Sequence, residues 1–265
     1  MPFNLHFTAA EILWTLTFAA ILVLLVVIMG RERVRRFPWF TASIVGVGLR
    51  MLAGRLLYQK MAPIRFTEIS LTLGDMITIL SLMVAIELAR RAFQRASRAA
   101  WIAGTLTLLV VAGVLIAVWG PWPAMKTLTA GTTISNLRLM QMFAQRGDLF
   151  VDVLYVQLGI LVAFAGRRFH AGWRSHTQQI LIGLSTLSIA QIVLRVTWTA
   201  IQHEAAPKSQ AEYETITGLQ SKLIDSNSVI FLLVLLWWIA CLWINEPGTA
   251  SGSLPAETPE GATAS

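Results

Sequence analysis

The chain has 265 residues, of which 55% are hydrophobic and only 13% are charged, and its formal net charge is +7. A composition this apolar, with a mean hydropathy of +0.64, excludes an ordinary soluble domain, and the length suits one compact bundle. The positive charge does not indicate a nucleic-acid partner, because arginines in the loops of a membrane protein meet lipid headgroups. The single cysteine, Cys241, excludes an intramolecular disulfide and a cysteine-based metal site.

Seven apolar stretches follow one another along residues 1–245. An α-helix rises about 1.5 Å per residue and the hydrocarbon core of a bilayer is about 30 Å thick, so a span needs about 20 apolar residues. The sequence therefore predicts an all-α bundle of seven transmembrane helices surrounded by the lipid bilayer. The predicted spans are residues 9–29, 38–58, 69–89, 100–119, 148–166, 177–201 and 226–245.

The ends of the chain and two longer loops carry separate signals. The first span is interpreted as a retained helix and not as a secretory signal, because no basic residue precedes it. Residues 137–143 are expected to form an amphipathic turn or an extension of the fifth span, and residues 209–225 an extension of the seventh. The tail, residues 246–265, is rich in Gly, Pro, Ala, Ser and Thr and is predicted to be disordered in the cytoplasm.

Arginine is concentrated in the three short loops that follow the first, third and fifth spans. These loops hold eleven arginines, whereas the longer loops on the opposite side hold seven basic residues among several acids. Since short loops rich in Lys and Arg stay in the cytoplasm, the N-terminus is predicted outside and the C-terminus inside, in the inner (cytoplasmic) membrane of the cell. The arginines are Arg31, Arg33, Arg35, Arg36, Arg90, Arg91, Arg95, Arg98, Arg167, Arg168 and Arg174.

Ionisable residues also occur inside the predicted spans, mostly in the half nearest the outer surface. Such residues are costly in a membrane and tend to face the interior of a bundle in pairs. Arg50 and Asp75 fall at about the same depth by helical rise, and they are predicted to be partners. Nearer the outer edge lie Glu11, Arg55, Asp152, Arg195 and Asp225.

Two interpretations of this charged cluster remain open. In the functional interpretation, the cluster lines a water-accessible pocket that opens to the outside and binds a small anionic or zwitterionic ligand. In the structural interpretation, the same groups form salt bridges that fix the packing of the helices. Under the first interpretation the candidate ligand-binding residues are Arg50, Arg55, Asp75, Asp152 and Arg195.

The charges also repeat along the chain. Spans one to three carry an acid, an arginine and an acid, and spans five to seven carry the same order at similar depth. The two sets are Glu11, Arg50, Asp75 and Asp152, Arg195, Asp225. The repeat hints at a three-plus-one-plus-three arrangement of helices, which some transporters use to form a site between halves.

The sequence carries no recognisable signal of catalysis or cofactor binding. No lysine lies within residues 226–245, so a retinal Schiff base in the last span is excluded. No nucleophile, base or metal constellation is visible, and we therefore expect neither an enzyme nor a bound cofactor or metal. Two mid-span glutamines, Gln157 and Gln191, are expected to bond to neighbouring helices.

Three short stretches stand out for their composition and position. They are Phe37-Pro38-Trp39-Phe40, Ile86-Glu87-Leu88 and, after the tryptophan-rich last span, Asn245-Glu246-Pro247. In these stretches the chain resembles uncharacterised bacterial seven-span integral membrane proteins. The resemblance implies the seven-span layout and carries no known activity with it.

The favoured hypothesis is a receptor-like or accessory membrane protein. Its outer pocket would bind a small ligand, and its arginine loops would contact a separate cytoplasmic protein. One alternative is a small-solute transporter with Arg50, Asp75 and Arg195 along its path. The other is a structural subunit of a larger membrane complex, in which the charged cluster only packs.

Overall fold

A computed structural model describes residues 8–58, 60–92, 98–119, 133–165, 175–204 and 210–244. This part of the chain is all-helical and contains no β-strand. Its helices are α1 (Ala9–Gly30), α2 (Pro38–Leu57), α3 (Pro63–Ala92), α4 (Arg98–Val118), α5 (Thr133–Ala165), α6 (His176–Glu204) and α7 (Gln210–Trp243). The predictions that fall outside the described residues concern the tail 246–265, the stretch Asn245-Glu246-Pro247 and the loop arginines Arg95, Arg167, Arg168 and Arg174.

Six helices are long and apolar enough to cross a membrane. They are Ala9–Gly30, Pro38–Leu57, Pro63–Ala92, Thr133–Phe164, His176–Ile201 and Glu214–Trp243. In the fourth helix the apolar stretch within the described residues is shorter, Ile102–Val118. The all-α fold is therefore confirmed, with six helices of membrane-spanning length, while the number of spans and their bounds stay predictions.

Two helices begin well before their predicted spans. α5 starts at Thr133 rather than at residue 148, and α7 starts at Gln210 rather than at residue 226. With 33 and 34 residues, these helices are each about 50 Å long, well beyond the roughly 30 Å of a hydrocarbon core. Residues 137–143 thus extend the helix of the fifth span, and residues 210–225 extend that of the seventh.

Six of the helices form a closed ring, and α4 stands outside it. Around the ring each helix packs on the next, in the order α1, α2, α3, α5, α6, α7 and back to α1. α4 packs against α5, and its buried side chains within the described residues are Ala112 and Ile116. The other apolar side chains of α4 are mostly exposed, as expected for a helix that faces lipid.

The two ends of the ring differ in packing. We call the end at which α1 begins and α2 ends the Glu11 end, and the opposite end the Arg33 end. The largest fully buried side chains lie towards the Arg33 end: Ile21, Leu24, Ile28, Phe37, Phe40, Val84, Leu88, Ile180, Leu181, Leu235, Trp238 and Leu242. The ring is therefore solid at the Arg33 end and hollow at the Glu11 end.

A buried carboxylate holds the start of α2 at the Arg33 end. Oε2 of Glu87 accepts a hydrogen bond from the backbone N–H of Phe40 at 3.2 Å, which suits a helix N-terminus because that end favours negative charge. Arg91 lies 3.7 Å from Glu87 and stacks over the Phe37 ring, 4.7 Å from its centroid. Two of the stretches singled out in the sequence are therefore in direct contact.

The connection between α1 and α2 is tied to the end of α7. Arg33 is buried and donates from Nη2 to the carbonyl oxygen of Ile244 at 2.9 Å, and Nε2 of His176 lies 3.0 Å from the same oxygen. The Phe40 ring meets Trp238 edge-on, with centroids 5.1 Å apart and planes at 88°, a favourable aromatic geometry. These contacts join α2, α6 and α7 at the Arg33 end.

Candidate ligand-binding cavity

A cavity of about 1050 Å³ occupies the hollow end of the ring. All six ring helices contribute to its wall. Along α7 the lining runs from Asp225 to Trp238, a depth of about 20 Å by helical rise. Small-molecule sites are typically cavities of about 300–1,000 Å³, so this one is large enough to enclose a small molecule.

An ion pair joins α1 and α2 at the mouth of the cavity. Nη2 of Arg55 lies 3.1 Å from Oε1 of Glu11, and the guanidinium sits over the Trp14 ring at 5.9 Å from its centroid. Glu11 also forms a capping box with Thr8 at the start of α1. Because 60% of the Arg55 side chain and 37% of the Glu11 side chain are exposed, water screens this ion pair, and it is weak enough for an entering ligand to displace.

The wall formed by α5 and α6 contains a buried carboxylate with several donors. Asp152 is 5% exposed, and Nη2 of Arg195 lies 3.7 Å from its Oδ2. The side-chain nitrogen of Gln191, in the orientation that satisfies its neighbours, donates to the two carboxylate oxygens at 3.2 and 3.3 Å, and the Ser188 hydroxyl also donates. These three residues share one face of α6, because they are three and four residues apart. The compensated carboxylate therefore ties α5 to α6.

A second carboxylate, that of Asp148, lies one turn before Asp152 on α5 and also lines the cavity. It accepts a hydrogen bond from Oγ1 of Thr78 at 2.5 Å. Asp75 of α3 is not among the described residues that line the cavity, and it forms no ion pair with any described residue, Arg50 included. The predicted partnership of Asp75 with Arg50 is therefore wrong, because equal depth does not fix the direction in which a side chain leaves its helix.

Arg50 is a cation that the structure leaves available to a ligand. Its side chain lines the cavity and is exposed, and within the described residues it has no hydrogen-bond or ion-pair partner. The guanidinium lies against Gly74, where an added Cβ would be 3.7 to 3.8 Å from its atoms. An exposed guanidinium offers paired N–H donors, a geometry that matches a carboxylate or a phosphate.

An anionic group faces the same space from another helix. Asp225 of α7 lines the cavity and, within the described part of the chain, has neither a hydrogen bond nor an ion pair. Arg50 and Asp225 thus present opposite charges from two walls of one cavity. This arrangement suits a ligand with one negative group, and also a ligand that carries both signs.

The deeper half of the cavity carries no charge. Its wall consists of Thr17, Ser43, Ile44, Val47, Ser81, Tyr155, Leu184, Phe231 and Trp238. The Thr17 hydroxyl donates to the carbonyl oxygen of Leu13 at 2.8 Å, and the Tyr155 hydroxyl donates to that of Ser81 at 2.7 Å. Both hydroxyl protons are therefore used within the protein, so this half of the wall is mostly apolar, and Nε1 of Trp238 is a polar donor in it without a partner among the described residues.

Some buried polar atoms lack a partner among the described residues. Two belong to residues of the cavity wall, Nε1 of Trp238 and Oδ1 of Asn227. Both side-chain polar atoms of Gln157 are also unpartnered there, so the expectation that Gln157 bonds to a neighbouring helix is wrong. The same expectation is confirmed for Gln191, which bonds to Asp152.

The structure separates the five predicted ligand-binding residues into three groups. Those that line the cavity are Arg50, Arg55 and Asp152. Arg195 does not line the cavity itself but forms an ion pair with Asp152, which does. Asp75 is not part of the cavity wall. Arg55 and Asp152 are already paired with other side chains, so among these five Arg50 is the one lining residue with an unused charge.

Sequence reasoning overlooked Asp148, Ser188 and Tyr155, which also line the cavity. Asp148 had a readable signal, because it lies four residues before Asp152 and therefore on the same helical face. The hydroxyls of Ser188 and Tyr155 carried no such signal, since serine and tyrosine are common on the packed faces of membrane helices.

Neither metal-binding side chains nor the thiol form a second site in the described part of the chain. The described residues contain no group of three or more His, Cys, Asp or Glu side chains that could hold a metal ion. The thiol of Cys241 is half-buried, and its Sγ lies 3.6 Å from Oε1 of Gln179. Neither observation adds a second candidate site to the cavity.

Six helices long and apolar enough to cross a membrane surround a cavity of small-molecule size, and such helices are the hallmark of α-helical multi-pass membrane proteins. Comparison of the chain with protein-family models, with curated proteins and with solved structures finds no match. The residues of the cavity itself are therefore the basis for a functional proposal.

Proposed function

We propose that this is a receptor-like membrane protein that binds a small anionic or zwitterionic ligand in its cavity. The observation that carries the proposal is Arg50, an exposed cation in the cavity with no partner among the described residues. A charge at membrane depth is costly unless it is paired or hydrated, and a ligand carboxylate or phosphate would pair it. Asp225 offers a counter-charge to a ligand ammonium group.

The proposal includes seven spans, with the N-terminus outside and the C-terminus in the cytoplasm. The arginines that follow α1 and end α3 lie at the Arg33 end, and short basic loops stay on the cytoplasmic side. In this orientation the cavity opens to the outside. The Arg33 contact with Ile244 would connect the arginine loop, and a cytoplasmic protein bound there, to α7 of the cavity wall.

Cysteine labelling tests the orientation and the fourth span. In a Cys241→Ser background we expect Tyr58→Cys and Trp119→Cys to react with a membrane-impermeant maleimide on intact cells, and Val34→Cys to react only after permeabilisation. All three side chains are exposed, at 69%, 42% and 37% respectively. The reverse pattern for Tyr58 and Val34 would contradict the orientation, and protection of Trp119→Cys on intact cells would remove α4 from the spans.

Arg50→Gln tests the proposed binding site. We expect this variant to lose the small molecule that the wild-type protein retains, because glutamine keeps the polar bulk and removes the charge and the paired donors. The measurement is mass spectrometry of small molecules that co-purify from the native membrane in mild conditions. Arg35→Gln, at an exposed arginine of the opposite end, is the matched control and should retain the molecule. Equal retention by Arg50→Gln would contradict the proposal.

A second candidate function, small-solute transport, is favoured by the arrangement of the ring. The helices α1 to α3 and α5 to α7 enclose the cavity, and α4 stands outside it. This is the arrangement expected for a transporter with three helices in each half and one helix between the halves. Uptake of the retained molecule into proteoliposomes distinguishes the two functions. Accumulation would favour the transporter, and binding without accumulation would favour the receptor.

A further inference from the structure

The cavity has two chemically different halves, and the inference drawn from them rests on the proposed binding function. The deepest charged lining residue is Asp152 of α5, which bonds to Gln191 of α6. Trp238, at the bottom of the cavity, lies against Gly183 of α6, so helical rise from Gln191 to Gly183 gives about 12 Å of wall without a charge below Asp152. A ligand that fills the cavity therefore meets its charged partners only in the part nearer the mouth.

The uncharged half favours an apolar part of a ligand. Val47, Leu184 and Phe231 contribute apolar surface from three different helices, so this surface encloses the space from several sides. Covering apolar surface stabilises a complex in proportion to the area covered, whereas a compact polar ligand would leave this half unfilled. The volume of about 1050 Å³ exceeds what a small carboxylate alone would occupy.

We propose that the cavity binds an amphiphile with one acidic head group and one alkyl chain. The carboxylate or phosphate of the head pairs with Arg50 near the mouth, and the chain extends along Val47 and Phe231 towards Trp238. Free fatty acids from the aqueous phase and acidic single-chain lipids from the bilayer share this chemistry. The experiment below distinguishes these sources.

The test measures affinity against chain length in the full-length protein. The protein is placed in phosphatidylcholine nanodiscs, and bound acetate, hexanoate, octanoate and decanoate are counted by native mass spectrometry against the free aqueous concentration. We expect the affinity to rise by about tenfold for each added pair of methylenes. Arg50→Gln should weaken the binding of every member of the series.

Two further variants locate the chain. Val47→Phe fills the uncharged half and should abolish the gain with chain length, while the binding of acetate is kept. Leu49→Phe adds the same ring on the exposed face of α2, 52% exposed, and should leave the whole series unchanged. Where a variant fails to fold, a flat chain-length series of the wild-type protein would still overturn the inference.

The outcomes separate this inference from the proposed function. Affinity that is flat with chain length, with acetate binding still lost in Arg50→Gln, would overturn the amphiphile and leave the binding site standing. Affinity that depends on neither chain length nor Arg50 would overturn both. A gain with chain length that Val47→Phe does not remove would also overturn the assignment to this cavity.

The lipid composition of the nanodiscs, and the lipid that stays bound on extraction, show whether the amphiphile comes from the aqueous phase or from the bilayer. If decanoate binds equally in phosphatidylcholine and phosphatidylglycerol nanodiscs, the ligand enters from the aqueous phase. If one acidic single-chain lipid per protein is instead retained on extraction and lost in Arg50→Gln, the bilayer supplies it. Both results support an acidic head on Arg50 with a chain below it.

Discussion

Replacing Asp152 with alanine is expected to lower the free energy of unfolding by about 3 kcal/mol. The substitution removes a 5% exposed carboxylate and leaves Arg195, Gln191 and Ser188 without their shared acceptor. Breaking one partner of a buried pair typically costs about 3–5 kcal/mol, and the value here is at the low end because the Arg195 side chain is 32% exposed. The measurement is thermal or chemical unfolding in detergent or nanodiscs.

Two variants make this result specific to the buried carboxylate. Asp152→Asn keeps an acceptor for the donors of α6 and should cost about 1 kcal/mol. Asp225→Ala removes a cavity carboxylate that has no partner among the described residues, and it should leave stability unchanged. If Asp152→Ala unfolds like the wild-type protein, the carboxylate does not hold α5 to α6, and its role would be confined to a ligand.

Gly183→Ala is expected to destabilise the protein by about 3 kcal/mol, the upper part of the range for overpacking. An added Cβ at Gly183 would lie 2.3 Å from Nε1 of Trp238 and 2.6 Å from its Cε2. The indole cannot move aside cheaply, because it is 1% exposed and its other side packs on Phe40. A lower unfolding midpoint of the purified variant would show the effect.

The matched control is Gly74→Ala, at another buried glycine of the ring. There the added Cβ would make ordinary contacts of 3.7 to 3.8 Å with the end of a long side chain, so stability should be nearly unchanged. Trp238→Phe in the Gly183→Ala background should recover part of the loss, because the smaller ring leaves room for the methyl group. Equal stability of the two alanine variants would contradict the close packing of α6 on Trp238.

The helices of this protein could be predicted from its sequence because apolar length is a one-dimensional property. The candidate site could be predicted only in depth. Arg50 and Asp75 share a depth by helical rise, yet Arg50 lines the cavity and Asp75 does not. The rotation of each helix is set by packing between helices, and that information is spread over the whole ring.

Long-range contacts at the Arg33 end were equally hidden from the sequence. Glu87 and Arg91 are four residues apart, a spacing that predicts a local ion pair. The structure contains this pair, with 3.7 Å between Nη2 of Arg91 and Oε1 of Glu87. The Glu87 carboxylate also accepts a hydrogen bond from the backbone of Phe40, 47 residues away, and so caps α2. A capping carboxylate from another helix leaves no spacing pattern, because the two partners are brought together by the fold alone.

The contact between Phe40 and Trp238 decides what the cavity is. α2 and α7 are not neighbours in the ring, so this aromatic pair bridges across it and closes the space below. In this conformation the cavity is open at the Glu11 end and closed at its bottom by Phe40 and Trp238. A solute could cross to the other side only if α2 and α7 moved apart and the two rings separated, which would also expose the Trp238 indole and the capped start of α2. Binding of a ligand from the Glu11 end therefore needs no large motion, whereas passage of a solute through the protein needs the contact between Phe40 and Trp238 to separate.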